Sequence, residues 1–126
     1  MIHIYGLKNC DSCRKAIKWL STEDISLTFH DFGVEGLNPK KLDGWLLGTD
    51  WNVLLNRRGM TWRNIQETKK QDLNKVRARE LMLGHLSLIK RPVFEIQKKV
   101  LIGATVDIFN MIKKLHRNMI KKLHRG

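Results

Sequence analysis

The chain has 126 residues, 42% hydrophobic and 29% charged, which is the composition of one ordinary globular domain with a single core. Its apolar runs all stop well short of the roughly 20 residues a membrane helix needs, and the start Met1-Ile2-His3-Ile4-Tyr5 lacks the basic and apolar regions of a signal peptide. A cytoplasmic protein with no membrane span is therefore expected, and two cysteines in one motif argue against both a disulfide framework and a structural zinc site, so no metal is expected.

Ile2, Ile4 and Tyr5 read as a short buried strand that a Gly6–Asn9 turn stops. From Cys10 or Asp11 to about Ser21 the period is helical, with Cys13, Ala16, Ile17 and Leu20 on one face and Arg14, Lys15 and Lys18 on the other. Asp11 or Ser12 is the expected N-terminal cap. Residues 27–32 alternate and predict a second strand, so the chain opens as a right-handed βαβ unit with parallel strands.

A helical insertion follows over about residues 38–85. Pro39 starts its first helix, with Leu42, Trp45 and Leu46 buried; Trp51 to Leu55 is a short piece that Asn56-Arg57-Arg58-Gly59 breaks. A longer helix is expected over 69–83, with Leu73, Val76 and Leu81 inward and Gly84 as terminator. Trp45, Trp51 and Trp62 are expected to fill this insertion rather than stack on bases. Val93–Ile96 and Val100–Gly103 then predict an antiparallel hairpin, and a last helix starts at Thr105. The fold class is α/β, a thioredoxin-like arrangement of βαβ and ββα halves with the helices inserted between them.

The final residues repeat themselves letter for letter: NMIKKLHR at 110–117 recurs at 118–125. Six of the chain's lysines and arginines and no acid lie in 110–126, so half of the net charge of +12 belongs to this segment. Ile108, Ile112, Leu115, Met119 and Leu123 fall on one helical stripe. The organisation expected is a domain over 1–109 followed by a basic, duplicated helical tail over 110–126. An extended final helix is the plain reading of that tail; contact with an anionic membrane, nucleic acid or a partner helix are the alternatives.

Chemistry is concentrated at Cys10-Asp11-Ser12-Cys13. The spacing sets two sulfurs one turn apart at the positive end of a helix, where exposed N–H groups and the dipole favour thiolate. Cys10 is the candidate nucleophile and Cys13 the candidate resolver of a mixed disulfide. Lys8 and Arg14 flank the motif and would stabilise a negative sulfur if turned inward. Arg91 precedes Pro92 at the entry to a strand, where proline removes a donor and lets a substrate backbone approach. Guanidinium groups at Arg57, Arg58 and Arg91 suit carboxylates or oxyanions. Lys8, Asn9, Arg58, Arg91 and Pro92 form the candidate substrate- or anion-binding set. His30-Asp31 is a weaker catalytic candidate at a strand end.

Taken in order, Ile4-Tyr5-Gly6-Leu7-Lys8-Asn9-Cys10 with Arg14-Lys15-Ala16, Phe29-His30-Asp31, Leu54-Leu55-Asn56-Arg57-Arg58-Gly59 with Thr61-Trp62-Arg63, and Ile89-Lys90-Arg91-Pro92 resemble the arsenate reductase (ArsC)/Spx family of thioredoxin-like proteins. The similarity is greatest to the branch proposed to be glutathione-dependent thiol reductases. It implies that Cys10 matches the reactive cysteine, Arg91 the arginine before proline, and Arg58 the arginine of the xRG loop. It also implies glutathione as co-substrate and no tightly bound cofactor, and no long heptad or self-pairing signal in the sequence points beyond a monomer. Arsenate reductases of this type use a further arginine after the last strands, and Leu101-Ile102-Gly103-Ala104 has none. Cys13 departs the other way, toward Spx regulators, whose CxxC is a redox switch and which bind the RNA polymerase α subunit. The readings in view are thus a thiol-disulfide oxidoreductase, a redox-sensing regulator, and an arsenate reductase.

Overall fold

The computed structural model describes residues 2–125. In chain order its elements are β1 (Ile2–Gly6), α1 (Asp11–Thr22), β2 (Leu27–Asp31), α2 (Phe32–Glu35), α3 (Pro39–Gly48), α4 (Trp51–Leu54), α5 (Met60–Asn64), α6 (Glu67–Lys70), α7 (Lys75–Gly84), a 3-10 turn at Leu86–Leu88, β3 (Val93–Ile96), β4 (Lys99–Ile102) and α8 (Val106–Arg125). Contacts divide the chain into two units: one holds residues up to His30 and those from Arg91 onward, the other is Asp31–Lys90.

The first unit is a four-stranded sheet of order β2-β1-β3-β4. Strands β1 and β3 run antiparallel with Ile2 opposite Ile96 and Ile4 opposite Phe94, and the β3–β4 hairpin pairs Phe94 with Leu101. Because side chains alternate along a strand, Ile2, Ile4, Phe94, Ile96 and Leu101 share one face. Ala16 and Leu20 of α1 and Phe109 and Ile112 of α8 join them in one buried cluster. Trp19 extends the cluster by stacking on Phe109, ring centres 4.3 Å apart. Each large aliphatic side chain so buried contributes roughly 1.5–3 kcal/mol, an upper bound set by an extended unfolded chain. This is the thioredoxin-like arrangement expected, with small shifts at the ends. Gly6 belongs to β1 rather than to a turn, and β4 starts at Lys99 because the hairpin needs only Gln97 and Lys98, with Gln97 at φ 56°.

The helical unit departs further from the sequence reading. Its buried residues include Leu42, Trp45, Leu46, Leu54, Leu55, Ala78, Met82, Leu88 and Ile89. Asn38 caps α3 by accepting the Lys40 N–H at 2.9 Å, with Pro39 preset in the first turn. The single helix expected over 69–83 is two, α6 and α7. Asp72 adopts φ 51°, and Asn74 turns its side chain to the Arg77 N–H at 2.9 Å, opening a new helix instead of continuing the old one. The register of the buried face changes with that restart: Ala78 and Met82 go inward, whereas Val76 is 63% exposed. Trp51 and Trp62 are only half-buried, and Trp62 meets the cations of Arg57 and Lys70 at 5.9 and 4.9 Å. Residue 32 likewise leaves the strand: Asp31 caps α2 by accepting the Gly33 and Val34 N–H groups at 2.9 and 3.3 Å.

Helix α8 runs unbroken from Val106 to Arg125, and Thr105 caps it through Oγ1 to the Ile108 N–H at 3.3 Å. Phe109 and Ile112 are buried, Ile108, Leu115 and Met119 pack against the same core, and Lys113 pairs at 3.7 Å with Glu23, the C-cap residue of α1. Past Met119 the packing stops. Among the described residues no helix is long and apolar enough to cross a membrane.

Candidate thiol site

The site is built where β1 hands over to α1. Cys10 is the N-cap residue, extended at φ −121° and ψ 122°, and its carbonyl accepts the first helical bond from the Arg14 N–H at 3.0 Å. The expectation that Asp11 or Ser12 caps the helix is corrected. Asp11 is already in the first turn and spends its carboxylate on Arg14, 2.9 Å away. That pairing also turns the Arg14 charge toward Asp11 at the exposed surface.

Both cysteines are free thiols, Cys10 half-exposed and Cys13 buried. Partial burial by itself raises the Cys10 thiol, but it is outweighed and the net shift is downward. The Cys13 N–H directs its positive end at the Cys10 sulfur although no formal side-chain cap is closed there. The Arg91 guanidinium and the Cys13 thiol donate to the same sulfur, and the charge of Arg91 adds to the effect. Cys13 moves the opposite way. Desolvation dominates, the neighbouring Cys10 charge adds to it, and the thiol is pushed up to about 12 despite a backbone hydrogen bond from Leu7. The two sulfurs are therefore driven apart, Cys10 toward its charged form and Cys13 toward its protonated thiol.

Of the other residues singled out from the sequence, Arg91 joins Cys10. Its peptide bond to Pro92 is cis, and the Pro92 carbonyl accepts the Gly103 N–H at 2.9 Å, tying the start of β3 to the end of β4. Pro92 is buried; Lys8 and Asn9 are exposed beside the motif. Arg57 and Arg58 lie in the helical unit, where their roles separate. The Arg57 side chain donates to Asn52 Oδ1 at 2.9 Å and lies over Trp51 and Trp62, at 5.7 and 5.9 Å. Arg58 is exposed; only its backbone N–H is held, by Asn56 Oδ1 at 3.1 Å, in a loop pinned by the Asn56 N–H to the Leu88 carbonyl at 2.7 Å. His30 stacks on Tyr5 and meets His3, 3.0 Å between ring nitrogens, while Asp31 caps α2. One residue of the site escaped the sequence reading, Gly6, which lies against the Cys13 sulfur. A glycine inside a strand was the available signal.

The chain is similar to known proteins over most of its length. The sequence profile of the ArsC family matches residues 5–110. The solved structure of the YffB protein superposes with a TM-score of 0.83 at 37% identity, covering 88% of this chain and 97% of its own. An arsenate reductase (ArsC) related protein from Brucella melitensis is 41% identical with a TM-score of 0.73, covering 87% of this chain and 92% of its own. The global transcriptional regulator Spx of Lactiplantibacillus plantarum is 30% identical over 112 residues, 85% of this chain and 82% of that protein.

Proposed function

The chain belongs to the ArsC family, and from that premise we propose that it is a glutathione-dependent thiol-disulfide oxidoreductase, acting as a monomer in the cytoplasm. The Cys10 thiolate attacks one sulfur of a disulfide or glutathione-linked substrate, forming a mixed disulfide and expelling the other sulfur as a thiolate that takes up a proton. A glutathione thiolate, or Cys13, then attacks the Cys10 sulfur of the mixed disulfide and releases the second product thiol. This leaves a Cys10–glutathione or Cys10–Cys13 disulfide that further glutathione reduces, with oxidised glutathione leaving and the Cys10 thiolate restored. With glutathione as reductant two molecules are oxidised to one disulfide for each substrate disulfide reduced, and no tightly bound cofactor is needed. Arg91 is assigned to a glutathione carboxylate, with Lys8, Asn9 and Pro92 lining the approach.

The observation that carries this reading is the half-exposed Cys10 sulfur held toward its charged form by Arg91. Cys13 fits the resolving role conditionally. The Cys10 charge is one reason its thiol is raised, and that charge disappears once Cys10 enters a mixed disulfide, so Cys13 is released toward ionisation when it is needed. The test is turnover of a disulfide substrate with glutathione, together with protection of Cys10 from alkylation by oxidised glutathione. Turnover that Cys10→Ser abolishes supports the reading; equal inactivity of wild type and Cys10→Ser removes it.

A second reading has its own support in the CxxC motif and the similarity to Spx. As a redox-sensing regulator the protein would bind the RNA polymerase α subunit, with Cys10 and Cys13 closing a disulfide under oxidation. Co-purification with that subunit, by a protein inactive toward disulfides, would favour it.

A further inference from the structure

Gly6 ends β1, and no backbone requirement explains it: its φ is not among the positive values, which belong to Gly36 and Gly103. Space explains it instead. A Cβ built on Gly6 would fall 2.4 Å from Cys13 Sγ, closer than real Cβ contacts come, and 3.6 Å from Cys13 Cβ. The same atom on Gly44 or Gly84 would meet nothing within 4 Å. Cys13 itself is 0% exposed and sits on the buried face of α1, so its sulfur has no open solvent into which to retreat.

We propose that Gly6 is a positioning residue for the Cys10 thiolate: the side chain it lacks leaves the seat in which the Cys13 sulfur lies, and from that seat the Cys13 S–H donates to the Cys10 sulfur. The inference rests on the reading of Cys10 as a working thiolate and adds a role for Cys13 in the resting protein, before any resolving step. The contact runs through three consecutive pieces of this unit. Strand β1 ends in a residue without a side chain, the first turn of α1 presses Cys13 into that gap, and the N-cap residue Cys10 lies one turn back. A methyl group at position 6 would displace the Cys13 sulfur and weaken the bond without touching Cys10.

The experiment is the pH dependence of Cys10 alkylation by iodoacetamide, read by mass on the Cys10 peptide, in wild type, Gly6→Ala, Cys13→Ala and the double variant. Gly6→Ala and Cys13→Ala should each move the midpoint to higher pH and slow alkylation at neutral pH by roughly two- to tenfold, the worth of one lost hydrogen bond. The double variant should behave like Cys13→Ala alone, because the sulfur that the new methyl overlaps is gone. A Gly6→Ala or Cys13→Ala midpoint equal to wild type overturns the proposal, as does a double variant whose shift is the sum of the two. If Gly6→Ala alone does not fold, recovery of the fold in the double variant supports the seat, and its failure there refutes it. The assay contains no glutathione, so an intact midpoint pattern with no turnover would count against the oxidoreductase reading and leave this inference standing.

Discussion

The start of α1 and the end of α8 each use one piece of chemistry twice, and each use differs because of what surrounds it. Cys10 and Cys13 are three residues apart, yet one thiol is lowered by the Cys13 N–H and Arg91 and the other is raised by burial. The two copies of NMIKKLHR differ as sharply. A step of eight residues overshoots two helical turns by about 80°, so each side chain of the second copy points in a new direction. Ile112 is 0% exposed and its counterpart Ile120 is 40% exposed; Met111 faces solvent while Met119 packs on the core. Leu115 packs on that core too, whereas Leu123 lies beyond its reach at 79% exposed. Identity of residue settles little when neither angle nor neighbourhood is repeated.

The largest effect that could break this comparison is at Ile112. Ile112→Ala should cost about 2–5 kcal/mol and Ile120→Ala less than about 1, measured as urea unfolding midpoints at unchanged slope. Equal losses would mean that the two copies share one environment. Next comes the cysteine pair. Cys13 is raised from 9.0 to about 12, so folding favours its neutral form; that contribution is complete below pH 9, fades as pH climbs toward 12, and amounts to roughly 4 kcal/mol at most. Cys13→Ala should flatten this alkaline decline. Cys10 has the opposite sign: its lowered value stabilises the fold above its ordinary 9.0, and that part is lost as pH falls through the folded value.

Arg91→Leu sharpens the same contrast at smaller scale. It should move the Cys10 alkylation midpoint upward and leave Cys13 protected, because losing the guanidinium raises both thiols and Cys13 is already held neutral by burial. Smallest of all is Leu123→Ala, expected within about 0.5 kcal/mol of wild type by thermal melting, against a larger loss for Leu115→Ala.

Much of this arrangement is local and can be read from neighbours in the chain. Period 2 over Ile2–Tyr5 and period 3.6 from Asp11 onward predict β1 and α1, and a CxxC across their junction marks the sulfur that matters. Other features depend on competition between nearby groups. Asn74 could have continued a helix or capped one, and its bond to the Arg77 N–H, not its propensity, divides α6 from α7. Arg57 and Arg58 are equivalent as letters, yet Trp51, Trp62 and Asn52 engage one guanidinium and leave the other side chain exposed.

The amino-acid order alone determined the βα start, the CxxC at its junction, the hairpin and the arginine before proline, since each follows from spacing within a few residues or from an ordered motif. Tertiary structure alone decided which thiol is lowered and which raised, and which face of the repeated octapeptide is covered. It also decided why position 6 carries no side chain. Those outcomes depend on desolvation, charge and free volume, which atoms distant in the chain supply only after they have been brought together.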